Sequence, residues 1–110
     1  MRVKVTVDRP IGFVHHGCCY EVNYGYISGV IGGDGSPQDA YILDSKIDYP
    51  VNEYCGNVIA VAVRSDDIET KWIVSNEKWP ASEIYNRIKF IEQYFDTKIY
   101  LIENFPAHRL

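Results

Sequence analysis

Asp34 and Asp39 stand at the two ends of Gly35-Ser36-Pro37-Gln38, and the apolar run Ala40-Tyr41-Ile42-Leu43 follows at once. Gly35 admits backbone angles closed to other residues and Pro37 fixes one, so the segment reads as a tight, shaped turn running into a strand. A strand leading out of it would hold Asp39 firmly and leave Asp34 on the loop. Two carboxylates so placed can bind a hard divalent cation, because Mg²⁺ takes oxygen ligands and keeps several waters. Asp-Gly and Ser-Pro are equally ordinary hairpin residues, so this spacing alone leaves a plain turn open.

A second acidic group lies in Ser65-Asp66-Asp67-Ile68-Glu69-Thr70-Lys71. Three carboxylates this close repel one another unless cations intervene, so the segment is a solvated hairpin tip or a cation site. Arg9, at the end of the first strand, and the His15-His16 pair are candidate phosphate donors, although surface loops commonly carry such residues. Cys18, Cys19 and Cys55 form no C-x-x-C pair and leave an odd one over. With no secretory leader before them, they read as free thiols in a reducing, cytoplasmic compartment.

The elements that must position these residues are mostly strands. Met1 to Val7 alternates Val3, Val5 and Val7 with Arg2, Lys4 and Thr6, the pattern of a half-buried strand. It ends at Asp8-Arg9-Pro10, and Ile11 to Cys19 reads as loop. Tyr20–Val22 and Tyr26–Ile31 read as strand around Gly25, which the pattern marks as a bulge. Tyr41–Leu43 continues after the acidic turn, Asp44–Gly56 reads as a connection, and Asn57–Arg64 is the most apolar run and the candidate central strand. Ser65–Glu69 turns into a return strand over Thr70–Val74.

Between Pro80 and Phe95, Ile84, Ile88, Ile91 and Phe95 recur at helical spacing on one face. Ser82 is the expected N-cap, with Glu83 in the first turn. Lys98–Ile102 reads as a last strand, and the tail from Pro106 as loose. Short strands followed by one helix predict an α+β, mainly β fold: a small OB-like closed or nearly closed β-barrel with one C-terminal helix packed on it. The 110 residues suit a single domain, 1–110. Nine Tyr, four Phe and two Trp suit pleated, half-buried surfaces.

The formal net charge of −4 disfavours nucleic acid or an anionic membrane as the main partner. No apolar run is long enough to span a bilayer. A small anionic ligand remains compatible with this balance where bound cations invert the local sign. A homo-oligomer is left open.

Asn23-Tyr24-Gly25-Tyr26-Ile27 followed by Asp34-Gly35-Ser36-Pro37-Gln38-Asp39 resembles the family I soluble inorganic pyrophosphatases, small barrels whose signature D-x-D-P-(apolar)-D shortly follows N-Y-G-[YF]-I. The resemblance covers roughly Val3 to Phe95. It implies Mg²⁺-dependent hydrolysis of pyrophosphate, with Asp34, Asp39, Asp66 and Asp67 holding metal. Glu69-Thr70-Lys71 resembles the acidic-x-Lys end of the family's second acidic loop, which gives Lys71 a phosphate contact. Tyr94 resembles a helix tyrosine that touches phosphate, Tyr24 one that borders the active site, and Arg9 would complete the phosphate donors.

The chain departs from this pattern at four places. Ser36 replaces the middle aspartate, Gln38 an apolar residue, and Phe95 the lysine after the tyrosine; the stretch Asp8–Tyr20 is too short for the family's N-terminal phosphate-binding cluster. A hydroxyl is a poor base at neutral pH, and losing general-base assistance removes a factor of ~10²–10⁴ in rate. The resemblance therefore implies a slow diphosphatase with Asp39 or Asp67 as base and Tyr24 beside it. The alternative is a barrel that binds a metal or phosphate ligand without turnover.

Overall fold

The computed structural model describes residues 1–65 and 69–104. In chain order they form β1 (Arg2–Arg9), β2 (Val14–His15), β3 (Cys18–Cys19), β4 (Tyr24–Ile31), β5 (Pro37–Ile42), β6 (Glu53–Arg64), β7 (Thr70–Ser75), α1 (Ala81–Glu92) and β8 (Thr97–Leu101), followed by a 3-10 turn over Ile102–Asn104. The main sheet runs β1-β4-β5-β7-β6, and β6 also pairs with β1, so five strands close into a barrel. β8 joins the C-terminal half of β6, whose N-terminal half holds β1. Of these pairings only β5 with β7 is parallel.

Side-chain alternation sorts the apolar residues into two cores. Val5, Ile27, Ala40, Ile42, Val61, Trp72 and Val74 pack together inside the barrel. Tyr24, Tyr41, Leu43, Ala60, Ala62 and Ile73 face the other way and pack with Ile84, Ile88 and Phe90 of α1. β5, β6 and β7 are thus apolar on both faces, which is why their sequences read as continuous hydrophobic runs rather than as alternation. Val58 and Val61 both point into the barrel despite their odd spacing, because the β6–β7 register shifts between Val58 and Ala60.

Several expectations need correction. β1 extends to Arg9, and the supposed loop from Ile11 contains the β2–β3 hairpin, which His16 (φ 51°) and Gly17 (φ 76°) turn. Tyr20–Val22 is not a strand: Tyr20 and Val22 are buried, Glu21 is exposed, and Tyr20 exchanges backbone hydrogen bonds with Gly12 and Phe13; β6 starts four residues earlier than the apolar run, at Glu53. Gly25 is not the bulge: a Cβ there would lie 1.9 Å from the Thr6 carbonyl oxygen, so it is a close approach of two backbones. The helix is capped by Pro80 with no side-chain cap hydrogen bond, and Ser82 lies inside it. The tail from Pro106 lies outside the described residues. No helix among the described residues is long and apolar enough to cross a membrane.

Candidate functional site

The barrel places its polar residues by strand parity. On β5, Asp39 shares a face with Tyr41; on β7, Lys71 shares a face with Ile73. Tyr41 and Ile73 are paired across these parallel strands, which brings Asp39 and Lys71 together two residues earlier on each. The Lys71 Nζ donates to Asp39 Oδ2 at 2.7 Å and to Glu69 Oε2 at 3.3 Å. On the next strand Tyr24 lies opposite Tyr41, with ring centroids 4.9 Å apart, and its phenol interacts electrostatically with Asp39. Burial, reinforced by the Asp39 charge, holds the Tyr24 phenol protonated, well above its ordinary pKa.

Arg9 joins this row through a bulge. Val7 pairs with Gly25 and Arg9 with Tyr24, so Asp8 is the extra residue on β1. Parity alone would send Arg9 to the barrel interior with Val5 and Val7. The extra residue turns it to the side of Tyr24 instead. There its Nη1 donates to the Tyr20 hydroxyl at 2.7 Å, and its guanidinium lies 5.6 Å from the Tyr24 ring centre.

Arg9, Tyr24, Lys71 and Tyr94 all line one cavity of about 350 Å³, which is also bordered by Arg64 and Phe95. Four separate chain segments therefore converge on one chamber. Three cations border it in a chain of net charge −4. Tyr94 follows the last turn of α1 and is 74% exposed.

Behind the chamber wall lies a buried carboxylate. Glu92 is fully buried at the end of α1. Arg64 meets it twice, Nε to Oε1 at 3.0 Å and Nη2 to Oε2 at 2.7 Å, while Tyr41 and Thr97 donate their hydroxyls at 2.6 and 2.8 Å. Burial raises the Glu92 pKa, but these donors and the Arg64 charge outweigh it and hold the carboxyl below its ordinary value. Arg64 also lies 3.7 Å from the centre of the Phe95 ring. The signal was present: Glu92 stands four residues after Ile88, on the apolar face itself.

The carboxylates are less gathered. Asp34 is exposed in the β4–β5 turn, where its Oδ1 accepts the Ser36 amide at 3.0 Å. It also interacts with the Glu69 carboxyl, which lowers the Asp34 pKa and raises that of Glu69. Two facing carboxylates have the hard-oxygen chemistry that suits a divalent cation. Among the described residues, however, no group of three or more His, Cys, Asp or Glu side chains is arranged to hold a metal. Asp66 and Asp67 lie outside the described residues. His15 and His16 line the chamber, with ring centroids 4.1 Å apart. Cys18, Cys19 and Cys55 are free thiols.

Solved structures share this architecture. An inorganic pyrophosphatase from Ehrlichia chaffeensis matches with a TM-score of 0.71 and 16% identity, over 93% of this chain and 86% of that one. A protein described as an inorganic phosphatase from Anaplasma phagocytophilum matches at 0.59 and 18%, over 91% and 81%. The inorganic pyrophosphatase from Thermus thermophilus matches at 0.58 and 15%, over 91% and 79%. No family model and no curated protein matches the chain. At these identities the likeness defines a fold: this is a pyrophosphatase-like barrel.

Proposed function

We propose that the chain is a divergent family I pyrophosphatase that hydrolyses a phosphoanhydride, inorganic pyrophosphate in the simplest case, with Mg²⁺ and at a low rate. The observation that carries this reading is the convergence of Arg9, Tyr24, Lys71 and Tyr94 on one chamber beside Asp39. In it Lys71, Arg9 and Tyr94 hold phosphate oxygens, and Lys71 and Arg9 offset charge as it develops. Asp34 and Asp39, with Asp66 and Asp67, are the residues that would hold Mg²⁺, and the Glu69 carboxylate beside Asp34 adds to that donor set. Mg²⁺, when bound, screens the substrate charge and acidifies a nearby water. Asp39, held by the Lys71 ammonium with Tyr24 beside it, accepts a proton from the attacking water, with Asp67 as the second candidate base. Water oxygen joins one phosphorus, the bridging bond breaks, and two phosphates leave. Ser36 cannot take the proton as a carboxylate would, which accounts for the low rate.

The ion pairs of Lys71 with both Asp39 and Glu69 favour a second reading, a pocket that binds phosphate ligands without turnover. The two readings separate in one assay: phosphate release from pyrophosphate with Mg²⁺ and with chelator, on the wild-type protein and on Asp39→Asn. Mg²⁺-dependent release that Asp39→Asn abolishes supports the hydrolase, and Ser36→Asp should then raise the rate by about 10²-fold. Release no greater than the chelated control, with pyrophosphate still bound, overturns hydrolysis and leaves the binding module.

A further inference from the structure

The phosphate chamber does not end at Tyr94. His16, Cys18 and Tyr94 form a wall shared with a second cavity of about 350 Å³, whose other side carries Glu21, Phe90 and Gln93. The two chambers differ in chemistry. The first holds Arg9 and Lys71, whereas the second is bordered by no lysine or arginine and offers a carboxylate and an amide. The Gln93 amide makes only a marginal bond, 3.5 Å to the Phe90 carbonyl, so its polar groups remain open to a ligand.

The shared wall is aromatic. Tyr94 is the most exposed of the large hydrophobic side chains among the described residues, at 74%. Next to it Phe95 is 41% exposed, with its ring held against the Arg64 guanidinium. Exposed rings at a pocket mouth are stacking platforms for flat ligands. Inorganic pyrophosphate is a compact anion with no apolar surface, and it uses neither these rings nor the second chamber.

We propose that the site takes a nucleoside diphosphate, with its phosphates against Arg9 and Lys71 and its base beyond the shared wall, stacked on Tyr94 with its amino edge toward Glu21 and Gln93. This rests on the first chamber being the phosphoanhydride site. The ring, not the Tyr94 hydroxyl, supplies the preference for a base.

Calorimetric titration of the wild-type protein in Mg²⁺ with ADP, with methyl diphosphate, which carries the same anhydride and no ring, and with pyrophosphate tests this. ADP should bind about tenfold more tightly than methyl diphosphate, the size of one base–aromatic stack. Tyr94→Ala should bring that ratio close to one, and Tyr94→Phe should keep it. Equal affinities for ADP and methyl diphosphate, with pyrophosphate still bound, overturn the nucleoside site and leave the phosphate pocket standing. A ratio that survives Tyr94→Ala overturns the stacking assignment. Binding of none of the three overturns both the nucleoside site and the phosphate pocket.

Discussion

Glu92 illustrates how one side chain serves both packing and site. A carboxylate with no exposure is tolerated only when its oxygens are fully engaged, and here four donors on three other side chains engage them. The same contacts fix Arg64 at the chamber wall. Glu92→Ala would remove the carboxylate that the Arg64 guanidinium meets twice and cost about 3 kcal/mol, the low end of the range for breaking a buried pair, because Arg64 borders the cavity and regains water. Urea unfolding should read this as a lowered midpoint with an unchanged slope. The pH dependence has a definite sign. The folded-state pKa of Glu92 is depressed below its ordinary 4.5, so its contribution is complete above that pH and is lost as pH falls through the folded value. The stability gap between wild type and Glu92→Ala should therefore narrow below about pH 4.5. A gap that stays constant down to pH 2 would show that Glu92 is not held in its ionised form.

At the scale of elements, β1 and β4 meet at two irregularities with separate purposes. Asp8 is inserted so that Arg9 faces the chamber, and Gly25 lets β4 lie close against Thr6 and Val7. Gly25→Ala would place a methyl 1.9 Å from one backbone atom and 2.8 Å from another, with no flexible side chain to yield. The strands must separate, which costs about 3 kcal/mol or more, at or beyond the upper end of ordinary overpacking. Thermal melting would read it as a lower Tm, and because Arg9 is paired to Tyr24 next door, the proposed pyrophosphate binding should weaken with it. A Gly25→Ala protein as stable as wild type would mean that the two backbones are not in contact.

The whole molecule is a barrel closed by the pairing of its first strand with its longest. β1 is bonded on one side to β4 and on the other to β6, so its central amides have no free edge. β8 is paired only with β6 among the described residues. Hydrogen exchange should accordingly protect Val5 and Thr6 to the level of global unfolding, while β8 exchanges through local opening. Early exchange at Val5 would mean that the ring is open in solution. Closure also explains the electrostatics: a chain of net negative charge gathers Arg9, Arg64 and Lys71 at one place because three different strands end or turn there.

How much of this was legible in the sequence depends on the range of the interaction. Period-two alternation in Met1–Val7, the unbroken apolar run at Asn57–Arg64 and the helical spacing of Ile84, Ile88 and Ile91 are local patterns. They determined the strands, the helix and, through their order, a small barrel. The segment Asn23–Asp39 likewise carried the turn and its resemblance by itself. Arg9 facing the chamber depends on one inserted residue in β1 measured against β4, a register that exists only once two strands pair. Glu92 looked like an ordinary charged helix residue until Arg64, Tyr41 and Thr97, all distant in sequence or on other elements, surrounded it. Burial of charge and strand register are properties of pairs of segments, so tertiary structure alone could decide them.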